Sequence, residues 1–119
     1  MLGLERVQSL DKTNRINLLF DYYRPLLTEK QQLFLQCYFH DDLSLGEIAA
    51  EFEISRQAVY EHIRRAEQML EEYELKLNLA EQDRVRELQV EHLKKLVNQV
   101  QDEHLREQFK RHIADITQS

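Results

Sequence analysis

Apolar residues recur along this chain at helical spacing, in runs separated by polar caps. The densest pattern lies between Leu43 and Leu77. Ile48 and Ala49 give a first short helix its buried face, and Ser44 with Glu47 forms a capping box ahead of it. Phe52-Glu53-Ile54 breaks the period, and Ser55 supplies a second N-cap. Beyond it Val59, Ile63, Ala66, Leu70, Tyr73 and Leu77 alternate steps of four and three, so they share one face. That 3.5-residue repeat predicts a long helix laid against a partner helix. Two capped helices, an apolar turn residue (Ile54) and an inward Val59 make a helix-turn-helix pattern. The turn residue of this motif is often glycine, because the backbone there tends to positive φ. Here it is Glu53, at a strain cost of about 1 kcal/mol.

The flanking runs extend the helical reading. Residues 1–9 carry Leu2, Leu4 and Val7 and read as a loosely docked lead-in. Ile16, Leu19, Phe20 and Tyr23 predict a helix from Asp11 to about Tyr23, capped by Asp11 or Thr13 and ended by Pro25. Thr28 and Gln31 form another capping box, opening a helix through about Phe39 with Leu33, Phe34, Cys37 and Tyr38 inward. His40-Asp41-Asp42 is the loop into the central motif. After Leu77 the stripe weakens at Glu81-Gln82-Asp83-Arg84, which reads as a bend or short break. Val85, Leu88, Leu93, Leu96, Val97 and Val100 mark a further helix, and Asp102 caps a last one bearing Leu105, Phe109, Ile113 and Ile116. The expected fold is all-α: a helix-turn-helix of the winged-helix type without a wing, over residues 1–80, with a helical extension over 81–119.

Composition supports that reading. With two glycines and one proline in 119 residues, few turn signals exist for a β fold. Charge complicates it. The net charge is −6, and Ser44–Leu70 holds Arg56, Arg64 and Arg65 against Glu47, Glu51, Glu53, Glu61 and Glu67. Nucleic-acid modules usually carry a basic footprint, so the acidic balance limits such a role. The lone Cys37 allows no intramolecular disulfide and fits a reducing compartment. No apolar h-region opens the chain and no run approaches a membrane span, so the expectation is a cytoplasmic protein without membrane insertion.

The candidate chemistry sits on the second helix of the motif. Arg56, Gln57, Tyr60, Glu61 and Arg64 fall opposite Val59, Ile63 and Ala66. Arginine suits guanine and glutamine suits adenine in bidentate contacts. Ser55 and the helix N-terminus suit a phosphate, and Arg65 adds a further cation. The same spacing fits a helical hairpin used only for packing, with Arg56 and Arg64 solvated. No enzyme is indicated: no histidine pair brackets a glutamate, one cysteine builds no zinc site, and no glycine-rich phosphate loop is present. No metal and no cofactor are expected. Val59, Ile63, Leu70, Tyr73 and Leu77, with the stripe from Val85 to Ile116, offer more apolar surface than a short chain hides, which predicts a homodimer.

The run LSLGEIAAEFEISRQAVYEHIRRAEQMLEEYELKL resembles region 4 of bacterial sigma factors, which reads the −35 promoter element. More closely, KTNRINLLFDYYRPLLTEKQ, SLGEIAAEFEISRQAVY and EEYELKL resemble the YlxM proteins of Gram-positive bacteria, over about residues 11–79. The resemblance implies a dimeric, DNA-binding-like regulator linked to the signal recognition particle, because genes of this family neighbour those for the particle's GTPase and its receptor. The partners it implies are DNA or the particle's RNA, or that GTPase or receptor. Arg56, Gln57, Tyr60 and Arg64 match the base-facing positions of the sigma recognition helix. A polymerase core-binding region is absent, so a stand-alone sigma factor is not implied.

Overall fold

The computed structural model describes residues 2–118, with side chains from Leu10 onward. Its helices are α1 (Leu2–Tyr23), α2 (Glu29–Leu35), α3 (Leu45–Phe52), α4 (Arg56–Leu77), α5 (Leu79–Val97) and α6 (Glu103–Gln118). A 3-10 turn, Arg24–Leu26, follows α1, and a π-helical segment, Gln36–His40, extends α2. Among the described residues there is no strand. The chain divides into two compact units, Met1–Ala80 and Glu81–Ser119.

In the first unit the caps form as local chemistry dictates. Thr28 and Gln31 exchange side-chain and backbone hydrogen bonds at the start of α2, as Ser44 and Glu47 do at the start of α3. Each box satisfies two backbone donors that a helix N-terminus leaves open. Pro25 sits in the turn after α1, where its fixed φ suits the short 3-10 step. Between α3 and α4, Glu53 takes φ 56° and ψ 43°, so the strained turn is present with a non-glycine residue.

The core of this unit gathers Ile16, Leu19, Phe20 and Tyr23 of α1, Phe34 and Leu35 of α2, Ile48 and Ala49 of α3, and Val59, Ile63, Ala66 and Leu70 of α4. Each large apolar side chain buried there contributes about 1.5–3 kcal/mol of transfer free energy. The helix-turn-helix is therefore held by packing against α1 and α2.

Four expectations need correction. First, α1 begins at Leu2, so Asp11 and Thr13 lie inside a helix and cap nothing. Helix formers run back past them without a stop signal, and the only glycine there, Gly3, lies in the first turn. How the side chains of residues 1–9 dock lies outside the described residues. Second, Leu33 is 50% exposed and Tyr38 37% exposed, whereas Leu35 is buried. The π-helical segment after Leu35 closes its hydrogen bonds one residue later, as in Asp41 N–H to the Gln36 carbonyl at 3.0 Å. That extra residue rotates Tyr38 out of the inward stripe, while Leu33 and Leu35 lie before the segment on the regular α2 period.

Third, the long helix breaks at Asn78, not at Glu81–Arg84. Asn78 adopts φ 57° and its N–H donates to the Glu74 carbonyl at 2.8 Å, a left-handed cap that asparagine tolerates. The polar run that suggested a bend is a solvated helical face, laced by Arg84–Glu81 at 2.6 Å and Arg86–Asp83 at 3.2 Å. Fourth, Val100 lies beyond the end of α5.

The turn at Asn78 is tied down by a buried polar cluster. The Tyr23 hydroxyl donates to Glu74 Oε1 at 2.5 Å and accepts from the Leu79 N–H at 3.1 Å. Glu74 Oε1 also accepts from the Ala80 N–H at 3.1 Å. A carboxylate buried on α4 thus serves the open donors at the start of α5. Burial first, then the bond to Glu74, raises the Tyr23 phenol above its ordinary pKa.

In the second unit Asp102 caps α6, its Oδ1 accepting from the Leu105 N–H at 3.0 Å. Among the described residues of this unit only Val97 and Ile113 are buried, and Leu88, Leu93, Leu96, Leu105, Phe109 and Ile116 are exposed.

Candidate nucleic-acid interface

The exposed face of α4 is built by its cap and its period. Ser55 accepts from the Ala58 N–H at 3.0 Å, fixing where the helix starts. Val59, Ile63, Ala66 and Leu70 turn inward, so Arg56, Gln57, Tyr60, Arg64 and Arg65 turn outward, and all five are exposed. The structure thus brings the sequence-predicted residues onto one capped helix end.

Their side chains hold defined positions. Arg64 Nη1 donates to the Tyr60 hydroxyl at 3.4 Å, and Gln57 Nε2 donates to Glu61 Oε1 at 3.4 Å. The Arg56 guanidinium lies over Gly46 of α3, where a Cβ would sit 2.7 Å from Nη2. Gly46 is one of two glycines in the chain and sits inside a helix, where it costs about 1 kcal/mol against alanine. That unusual placement was the available signal for a close approach, and the sequence reading left it unused.

Charge pairing separates the arginines of α4 from Lys12 and Arg15 of α1. Lys12 of α1 pairs with Glu67 at 3.3 Å, and Arg15 makes a bidentate contact with Glu71 at 2.6 and 2.7 Å. The Glu71 bond raises the Arg15 pKa above its ordinary value. By contrast, no carboxylate among the described residues lies within ion-pair distance of Arg56, Arg64 or Arg65. The acidic excess of this segment is thus partly neutralised from α1, and the three guanidinium groups stay uncommitted.

Behind this face, His62 stacks on Phe34 with ring centroids 4.9 Å apart and planes 5° from parallel. Phe34 also meets Phe52 of α3 at 4.9 Å. Burial, then the charges of Lys30 and Arg65, lowers the His62 pKa from 6.5. The fold therefore favours neutral imidazole, while the unfolded chain protonates it near 6.5. Stability is full above that pH and falls as pH drops below it toward the lowered folded value. A thermal melt series from pH 7.5 to 5 is expected to show this loss, and His62→Phe, which keeps a ring on Phe34, is expected to flatten it.

A cleft of about 460 Å³ opens beside the same face, between α4, α1 and the π-helical segment. Lys12, Tyr38, Tyr60, Ile63, Arg64 and Glu67 are among the residues lining it. Lys12 and Tyr38 were not legible as site residues, because their elements are distant in sequence.

The apolar stripe assigned to self-association divides. Val59, Ile63 and Leu70 belong to the core of the first unit. Tyr73 is half-buried against that core, its hydroxyl donating to the Leu26 carbonyl at 3.1 Å. Those four side chains are used within one chain. Leu77 alone is exposed, at 45%. Among the described residues no cluster of metal-ligating side chains occurs, and no helix is long and apolar enough to cross a membrane.

The model of the UPF0122 family, described as "Putative helix-turn-helix protein, YlxM / p13 like", matches residues 10–116. The chain belongs to the UPF0122 family. UPF0122 proteins of Bacillus cereus (strain AH187), Bacillus anthracis (strain A0248) and Bacillus thuringiensis subsp. konkukian (strain 97-27) are each 50% identical to it over 107 residues. Each alignment spans 90% of this chain and 96% of the relative. The resemblance read from SRQAVY and its flanks therefore holds. It also extends past Leu79, since the UPF0122 match includes nearly all of α5 and α6.

Proposed function

We propose that this UPF0122 protein is a non-enzymatic regulator that binds nucleic acid through the exposed face of α4. One observation carries the reading: Arg56, Arg64 and Arg65 stand on a capped helix without a carboxylate partner, while Glu67 and Glu71 of the same helix are paired from α1. Ser55 and the first turn of α4 position a phosphate, Arg56, Arg64 and Arg65 neutralise neighbouring phosphates, and Gln57 and Tyr60 contact bases. The YlxM-like family match supports a role in the signal recognition particle pathway as part of this reading, in the cytoplasm, with the particle's RNA or a promoter-like DNA as the ligand class. Pull-down of the full chain from native cytoplasm tests it. An enriched RNA or DNA is expected, and Arg56→Ala with Arg64→Ala is expected to weaken its binding by about 10- to 100-fold.

The net charge of −6 favours a second reading, in which acidic faces contact the particle's GTPase or its receptor. Protein partners that survive nuclease and the double arginine variant support this reading and contradict the first.

We further infer that the second unit self-associates. A 39-residue pair of helices with two buried side chains falls short of an independent core. A second copy of the chain would cover Leu88, Leu96, Leu105 and Phe109. Sedimentation is expected to give a dimer for the wild type and a monomer for Leu88→Glu with Phe109→Glu. A monomeric wild type defeats the inference.

A further inference from the structure

We propose that the cleft beside α4 holds one unpaired nucleotide of a folded RNA, its base on Tyr38 and Tyr60 and its phosphate on Arg64. The proposal rests on the reading of α4 as a nucleic-acid interface and adds a subsite for one unpaired base of an RNA.

Size comes first. About 460 Å³ falls in the range of small-ligand pockets and fits a nucleotide, while it is too small for a second helix. The chemistry of the walls is the second argument. Two tyrosines from separate elements line the cleft above Ile63. Tyr38 is braced edge-on by Phe39, with centroids 5.0 Å apart and planes at 85°. Exposed aromatic faces over an apolar floor stack bases of any identity.

Charge is the third argument. Arg64 reaches the cleft without a carboxylate partner and is aligned by its bond to the Tyr60 hydroxyl. Glu67 also lines the cleft, and its pairing with Lys12 at 3.3 Å both offsets its charge and places the ammonium at the rim. A phosphate is therefore drawn to the Arg64 side. Finally, Tyr60 and Arg64 belong to the exposed face of α4 itself. Unpaired bases beside stems are the features by which proteins recognise folded RNA, through aromatic stacking and arginine planes. In a chain of net charge −6, such a local pocket supplies affinity that a broad basic track would otherwise provide.

The test compares two RNA hairpins that differ only by one bulged 2-aminopurine, using the full chain. The bulged hairpin is expected to bind about tenfold more tightly, with quenched fluorescence on stacking. Tyr38→Ala is expected to remove the gain and the quench. Lys12→Gln, which removes the ammonium at an exposed position without setting a second carboxylate beside Glu67, is expected to reduce the gain. Equal affinity for the two hairpins overturns the proposal and leaves the α4 reading standing. An equal gain for a DNA hairpin with the same bulge overturns the assignment to RNA. Failure of both hairpins to bind overturns the α4 reading along with the proposal.

Discussion

Phe34→Ala is expected to destabilise the helix-turn-helix by about 3–5 kcal/mol, the usual cost of emptying a buried aromatic site. Phe34 is fully buried, stacks on His62 of α4 and meets Phe52 of α3. It is thus the side chain through which α2 fixes both helices of the motif. The neighbouring rings are held by their own helices and cannot close the space without moving α3 against α4. For a unit of this size 1 kcal/mol corresponds to about 4–8 °C, so the melting temperature is expected to fall by more than 10 °C. Nucleic-acid binding falls with it, because the exposed face of α4 is presented only when the inner face is packed. Circular dichroism melts check the first effect, and a fall below 3 °C would mean that Phe34 does not anchor the motif.

Tyr23→Phe carries the second large effect. It removes the donor that Glu74 uses and the acceptor that the Leu79 N–H uses, both in a buried setting. Hydrogen bonds to a charged group contribute about 1.5–3 kcal/mol, and an unsatisfied buried donor adds to the loss. A drop of about 2–4 kcal/mol in denaturant melts is expected. Glu74→Gln keeps an acceptor for the Ala80 N–H and is expected to cost less. If Tyr23→Phe melts like the wild type, the cluster contributes nothing to the Asn78 turn.

These two sites differ in how far the sequence discloses them. Ser44 with Glu47, Thr28 with Gln31, Ser55 and Asp102 were all legible as caps, because a capping side chain bonds backbone within four residues of itself. The period of Val59, Ile63, Ala66 and Leu70 likewise disclosed which face of α4 is buried, and so which face is exposed. The π-helical segment carries no local signature, and Tyr38 within it is turned outward against expectation. The break at Asn78 depends on Tyr23, more than fifty residues earlier, closing the turn through Glu74. At the interface, residue types and exposure were readable from the helix. Its charge state was not, because Glu67 and Glu71 are paired by Lys12 and Arg15 from α1. Ser44–Leu70 counts −2 in sequence, and in the fold Lys12 offsets one of its five glutamates while its three arginines have no carboxylate partner.

The most direct measurement of the central claim is the affinity of the full chain for a mixed-sequence duplex across a salt series. Phosphate contacts lower log K against log salt by about 0.9 per neutralised phosphate. With Arg56, Arg64 and Arg65 engaged, the slope is expected near −2 to −3, and Arg56→Ala with Arg64→Ala is expected to reduce it by roughly two units. Measurable binding with a slope near zero, or a slope that the double variant leaves unchanged, would contradict the assignment of nucleic-acid binding to α4.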